Sequence, residues 1–128
     1  MWSNFYWYFN LRSDAHFSSM VRTEQIITLL GGNDHLIRDG ARSFIEKPGM
    51  PSIRLTCIYT KDGNFGTPAS LENEWCTLIE IQADKTRPEN LHYFKSILTG
   101  IARELSWELV LEADDNENED ILLYTPKT

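Results

Sequence analysis

The stretch Thr86-Arg87-Pro88-Glu89-Asn90-Leu91-His92-Tyr93-Phe94-Lys95-Ser96-Ile97-Leu98-Thr99-Gly100-Ile101-Ala102-Arg103-Glu104-Leu105 decides the fold. Leu91, Phe94, Leu98, Ile101 and Leu105 recur at spacings of three and four, the period of a helix with one apolar stripe. Thr86 stands where an N-cap belongs, with Glu89 three residues on as a capping-box partner and Pro88 in the first turn. Gly100 weakens the helix but lies among strong helix formers. Such a stripe must be covered by another layer, and the flanking sequence supplies strands for it.

Downstream, Trp107 to Leu111 and Ile121 to Thr125 read as two strands that pair as a hairpin around an acidic connection. Upstream, Trp75 to Ala83 reads as a strand, preceded by loop signals at Asp62-Gly63 and Gly66-Thr67-Pro68. Leu36 to Ile45 and Ser52 to Thr60 read as two more strands, separated by the turn Lys47-Pro48-Gly49-Met50-Pro51. At the start, Phe5, Trp7, Phe9 and Leu11 alternate with Tyr6, Tyr8, Asn10 and Arg12, the two-residue period of a strand with its apolar side under the helices. A first helix follows, capped by Thr23 or an earlier serine. It carries Val21, Ile26, Ile27 and Leu30 inward and stops at Gly31-Gly32. The order β-α-β-β-β-α-β-β predicts an α+β fold: a two-layer sandwich with a mainly antiparallel sheet and both helices on one face. No linker divides the 128 residues, so residues 1–128 are expected to form a single domain.

At 41% hydrophobic and 12% aromatic, the composition argues against general disorder. The N-terminal residues lack a basic flank and a small-residue cleavage site, and no apolar run approaches the roughly 18 residues of a membrane span. Cys57 and Cys76 are too few for a disulfide framework, their spacing fits no zinc motif, and both sit in apolar strand-like runs. These readings predict a cytoplasmic protein without membrane contact.

The net charge of −7 is unevenly placed. Residues 1–60 hold six basic and five acidic groups, residues 61–128 six basic and fourteen acidic. Glu112, Asp114, Asp115, Glu117, Glu119 and Asp120 fall within nine positions. Such a run can be a solvated hairpin tip. It can equally be a docking surface whose repulsion a basic partner relieves. A calcium loop fits poorly, because the glycine and the closing glutamate of an EF-hand are missing.

Tyr6 and Tyr8 fall on the face opposite the core, near other outward groups such as Arg54, Glu80 and Glu108. A base-stacking platform needs surrounding positive charge that this chain lacks, so no direct nucleic-acid partner is expected. Exposed tyrosines suit a protein interface, with another protein or with a second copy of this chain as a homodimer; otherwise they merely cover the sheet. The partner-binding candidates are therefore Tyr6, Tyr8, Glu80, Glu108, Glu112, Asp114, Asp115, Glu117, Glu119 and Asp120.

No catalytic signature, metal-ligand spacing or cofactor motif appears. His16, His35 and His92 are far apart in sequence, and Glu72 and Glu74 read as solvation of a loop. Gly31-Gly32 is a helix stop rather than a phosphate cradle. The chain is expected not to be an enzyme and to need no cofactor or metal. The alternative is a small cytosolic enzyme or ligand-binding domain assembled only in the fold, with His35, Cys57 or His92 lining a deep pocket. A DNA-mimicking decoy would want its acids spread along an elongated face rather than gathered in one hairpin.

The segment Tyr93-Phe94-Lys95-Ser96-Ile97-Leu98-Thr99-Gly100-Ile101-Ala102-Arg103-Glu104-Leu105-Ser106-Trp107-Glu108-Leu109-Val110, followed by acids and then Ile121-Leu122-Leu123-Tyr124, resembles the closing helix and hairpin of small bacterial immunity proteins. These belong to polymorphic toxin and contact-dependent growth inhibition systems. The aromatic opening strand and acidic balance are similar too, and the resemblance covers mainly the last third of the chain. It implies a cytoplasmic protein that binds and occludes one cognate toxin domain, often a nuclease, and it carries over no catalytic residue. A nuclease face is basic because it holds a polyanion, which suits an acidic inhibitor.

Overall fold

The structure is a computed structural model that describes residues 5–61, 74–114, 116 and 118–126. The alternation of the N-terminal segment becomes β1 (Tyr6–Arg12), a strand paired along both edges. On one side lies β7 (Leu78–Asp84), on the other β8 (Glu108–Ala113), both antiparallel to β1. Beyond β7 come β5 (Ile53–Ile58), β4 (Ser43–Glu46) and β3 (Leu36–Arg38), and beyond β8 comes β9 (Glu119–Tyr124). The order across the sheet is β3-β4-β5-β7-β1-β8-β9. A small second sheet joins β2 (Val21–Arg22) to β6 (Trp75–Cys76).

The helices are α1 (Thr23–Gly31) and α2 (Leu91–Leu105). Because β7 and β8 both run antiparallel to β1, they run parallel to each other, and α2 crosses between them over the strand they enclose, a split β-α-β unit. Trp7, Phe9 and Leu11 of β1 share one core with Ile79, Ile81, Leu55, Leu109 and Leu111 from the neighbouring strands, Ile26 and Leu30 from α1, and Phe94, Leu98 and Ile101 from α2. The Trp7 and Phe94 rings meet edge to face at 6.2 Å, fixing α2 over the sheet centre. The chain is a single-layer antiparallel sheet covered on one face by two helices, the α+β sandwich that the patterning predicts.

Several local expectations are corrected. Leu36 to Ile45 is not one strand but a hairpin that turns at Asp39-Gly40, where the Arg38 guanidinium donates to the carbonyls of Gly40 and Ala41 and the Asp39 amide donates to Ser43. Trp75 to Ala83 is broken at Thr77. Its hydroxyl donates to the Thr60 carbonyl at 2.6 Å and accepts from the Thr60 amide at 2.8 Å, which turns β6 out of the main sheet toward β2. Val21 is accordingly in a strand, and α1 starts at Thr23, whose amide donates to the Glu74 carbonyl rather than its side chain capping the helix. Thr86 does not cap α2 either: its hydroxyl donates to Asp84, and a 3-10 turn at Pro88–Asn90 leads into the helix. Among the described residues there are thus nine strands where the pattern suggested six. Phe5, expected to pack inward, lies just before β1 and is 65% exposed. The loop signals at 62–68 lie outside the described residues.

Arg42 ties the two sheets and α1 together. Its guanidinium donates to the carbonyl of Cys57 at 2.8 Å, the hydroxyl of Thr23 at 3.2 Å and the carbonyl of Trp75 at 3.4 Å, while its own carbonyl accepts from the Cys57 amide. Cys57 and Cys76 are buried neighbours beside this knot. No helix among the described residues is long and apolar enough to cross a membrane.

The ends and middle of α2 yield the first prediction. Gly100 has open space where a Cβ would stand, so Gly100→Ala should raise stability by about 0.5–1 kcal/mol. Ser106, which ends the helix at φ +56°, occupies the left-handed region that favours glycine, so Ser106→Gly should add a few tenths of a kcal/mol more. Phe94→Ala, at the fully buried centre of the core, should instead cost about 3–5 kcal/mol. Urea denaturation of the three variants checks all three signs.

Candidate functional site: the outer face of the sheet

The face of the sheet turned away from the helices follows from register alone, since residues directly opposite one another point the same way. Tyr6 stands opposite Asp84, Tyr8 opposite Gln82, and Asn10 opposite Glu80. Across the other edge of β1, Arg12 stands opposite Glu108, and the same alternation brings Glu112 beside Tyr8 and Asp120 beside Glu112. Arg54 joins them from β5, opposite Gln82. Six of the ten candidate residues therefore share one face: Tyr6, Tyr8, Glu80, Glu108, Glu112 and Asp120.

Their surroundings differ. Glu108 is bound to Arg12, with Nε to Oε2 at 3.1 Å and both side chains more than four-fifths buried, so its charge is already compensated. Glu80 and Glu112 are half-buried carboxyls on either side of β1. Burial pushes Glu80 up from the usual carboxylate value and the negative charge of Glu112 adds to it; Glu112 is likewise raised, chiefly by burial. Tyr6 and Tyr8 flank this acidic centre with ring centroids 6.3 Å apart. The face is not bare throughout, because Ile58, Leu78 and Val110, on the same side by register, are buried.

The hairpin tip is built differently from the expectation that its acids act together. The Asp114 carboxylate accepts from the Asn118 side chain at 3.0 Å and from the amides of Asn116 and Asn118 at 2.9 Å, bonds that hold its pKa below the usual range and shape the turn. Glu119 stands opposite Ala113, on the helix side of the sheet, and is exposed. Asp115 and Glu117 lie outside the described residues.

No protein-family model, curated protein or solved structure matches this chain. Its function has to be argued from its own surfaces.

The residues that would build the alternative, an assembled pocket, stand apart. His35 is half-buried and its Nδ1 lies 3.0 Å from the Tyr93 hydroxyl, with the rings edge to face. His92 lies on the solvent side of α2, in a shallow depression with Lys95, Ser96, Thr99 and Arg103. Cys57 is fully buried, and its thiol is pushed up by a hydrogen bond with Cys76 and by burial, which keeps it protonated and unreactive. Among the described residues no three His, Cys, Asp or Glu side chains gather as a metal cluster would need.

Sequence reasoning passed over Gln82, Asp84 and Glu46. The alternation Ile79-Glu80-Ile81-Gln82-Ala83-Asp84 carries Gln82 and Asp84 outward with Glu80, a signal present in the sequence. Glu46 offered none, since it depends on the turn before β5: its carboxylate accepts from the Ile53 amide at 3.0 Å.

The raised carboxyls set a pH test. Glu80 in the folded protein holds a proton that the unfolded chain releases as pH climbs above its ordinary value of 4.5, so its ionisation costs stability as pH rises through the raised folded value. Glu80→Gln should therefore raise the melting temperature at pH 7, and the gain should shrink as pH falls toward 4. Thermal denaturation across pH 4–8 reads this directly; a gain independent of pH would assign it to something other than charge.

Proposed function

We propose that this chain is an inhibitory binding protein that lays the outer face of its sheet on a positively charged protein domain. On this reading it serves as the immunity protein of a bacterial toxin system, acts in the cytoplasm, and needs neither cofactor nor catalysis. The proposed partner is a cognate toxin domain, a basic nuclease. The observation that carries the reading is the pair of raised, half-buried carboxyls, Glu80 and Glu112, flanked by Tyr6 and Tyr8. Half-buried acids on one face of the sheet are an electrostatic cost that a cationic partner removes on contact. Tyrosines beside them add contact area with little rotamer entropy.

The resemblance of the closing helix and hairpin to immunity proteins supports the same reading, as does the excess of acids in the second half of the chain. A standard interface of about 800 Å² per partner is close to a tenth of the 7380 Å² surface. A nuclease blocked in this way would be inhibited by occlusion, with on-rates raised by charge steering.

Titration against the toxin domain encoded beside this protein's gene, at 50 to 500 mM salt, tests the reading. Affinity should fall steeply with salt, and Tyr8→Ala should weaken binding by about 2 kcal/mol, roughly thirtyfold. The complex should also take up fewer protons as pH falls toward 5 than the free protein does, because a cation at Glu80 and Glu112 holds them ionised. Absence of binding to the neighbouring toxin domain would overturn the reading.

A further inference from the structure

At the end of the outer face where β1 begins, Tyr6, Ile45, Glu46, Ser52, Ile53, Arg54, Gln82 and Asp84 line an open-sided depression of about 270 Å³. A water occupies about 30 Å³ of liquid, and small-molecule sites run from about 300 Å³ upward. This space is too small for most cofactors and large enough for one long side chain. We propose that it is a socket for a single arginine side chain of the protein partner. The inference rests on the reading of the outer face as a docking surface and names the group that anchors it.

The walls suit a guanidinium. Asp84 accepts from the Thr86 amide with one carboxylate oxygen and from the Thr86 hydroxyl with the other, both at 2.9 Å. These bonds fix the plane of the carboxylate, and each oxygen keeps a further acceptor site for a two-pronged donor. Glu46 is held in the same way by its bond from the Ile53 amide. Arg54 brings the one positive charge into the lining, and Asp39 compensates it at 2.9 Å. The lining is therefore net acidic.

Tyr6, 40% exposed, forms an aromatic wall, and Ile45 supplies an apolar surface for the methylene stem. Arginine fits better than lysine because its flat, weakly hydrated head stacks on a ring and matches a carboxylate fork. Two depressions near the start of α1 are also acidic, one lined by Arg22, Glu24 and Glu74 and one by Glu24, Gln25 and Thr28, but neither has an aromatic wall. Two others have the wrong charge for this ligand. The groove on α2 carries Lys95 and Arg103, and the one between α1 and β3 carries Arg38 and Lys47.

Nuclear magnetic resonance titration of the whole protein with N-acetyl-arginine amide tests the socket without any partner. The neutral isostere N-acetyl-citrulline amide serves as control. Saturable shifts at the amides of Tyr6, Arg54, Gln82 and Asp84 are expected with the arginine probe and not with citrulline. They should be lost in Asp84→Asn and reduced in Tyr6→Leu, with unchanged dispersion elsewhere showing that both variants remain folded.

Equal shifts from both probes, no shifts, or shifts centred on the hairpin at 114–119 would overturn the socket. With the toxin domain itself, Asp84→Asn should weaken binding at least tenfold. Tight toxin binding that Asp84→Asn leaves unchanged would sink the socket and leave the proposed function standing. Saturable arginine binding without any toxin binding would do the reverse.

Discussion

A strand in the middle of a sheet must satisfy its backbone on both edges and its side chains on both faces, and β1 carries that burden here. Its amides and carbonyls are shared with β7 and β8, strands separated in sequence by the whole of α2. Its odd positions, Trp7, Phe9 and Leu11, are the floor on which the helices sit. Its even positions, Tyr6, Tyr8, Asn10 and Arg12, form the middle of the outer face. A slip of one residue would exchange the two sets, placing an arginine under the helices and a phenylalanine in water. The aromatic opening of the chain is thus what pins the sheet in register and what decides which groups face outward.

Much of this was legible in the amino-acid order because it depends on periodicity. The stripe of Phe94, Leu98 and Ile101, the alternation of β1 and the pairing of the last two strands are local patterns, and each stands where its period places it. What escaped are structures set by one side chain reaching across the fold. The hydroxyl of Thr77 finds the backbone of Thr60, and Asp84 takes the hydroxyl that Thr86 would have offered to a helix. Nothing in a linear reading distinguishes a threonine that caps from one that has been claimed by a nearer carboxylate. The two-residue strands β2 and β6 were likewise invisible, being too short to show a period.

Acidic residues in this molecule perform three separate tasks, which a count of charges conceals. Asp114 spends its acceptors on shaping a turn, Glu108 neutralises Arg12, and Glu80 and Glu112 stay half-buried on either side of β1 at some cost to the fold. Sequence placed the emphasis on the hairpin because acids are densest there. Structure moves it to the strands, where fewer acids sit in a drier and more confining place. Coulomb interactions strengthen as water is excluded, so on the proposed reading two half-buried carboxyls weigh more in recognition than several on an exposed bend.

Arg42 has a consequence for how the molecule comes apart. Its guanidinium reaches the main sheet at Cys57, the small sheet at Trp75 and the start of α1 at Thr23. Peeling away any one of these leaves a half-buried cation with fewer acceptors, so separating any of the three is uphill. The small sheet, too short to persist alone, is thereby made to melt with the large one. A single basic side chain turns what would be a loosely attached appendage into part of one cooperative transition.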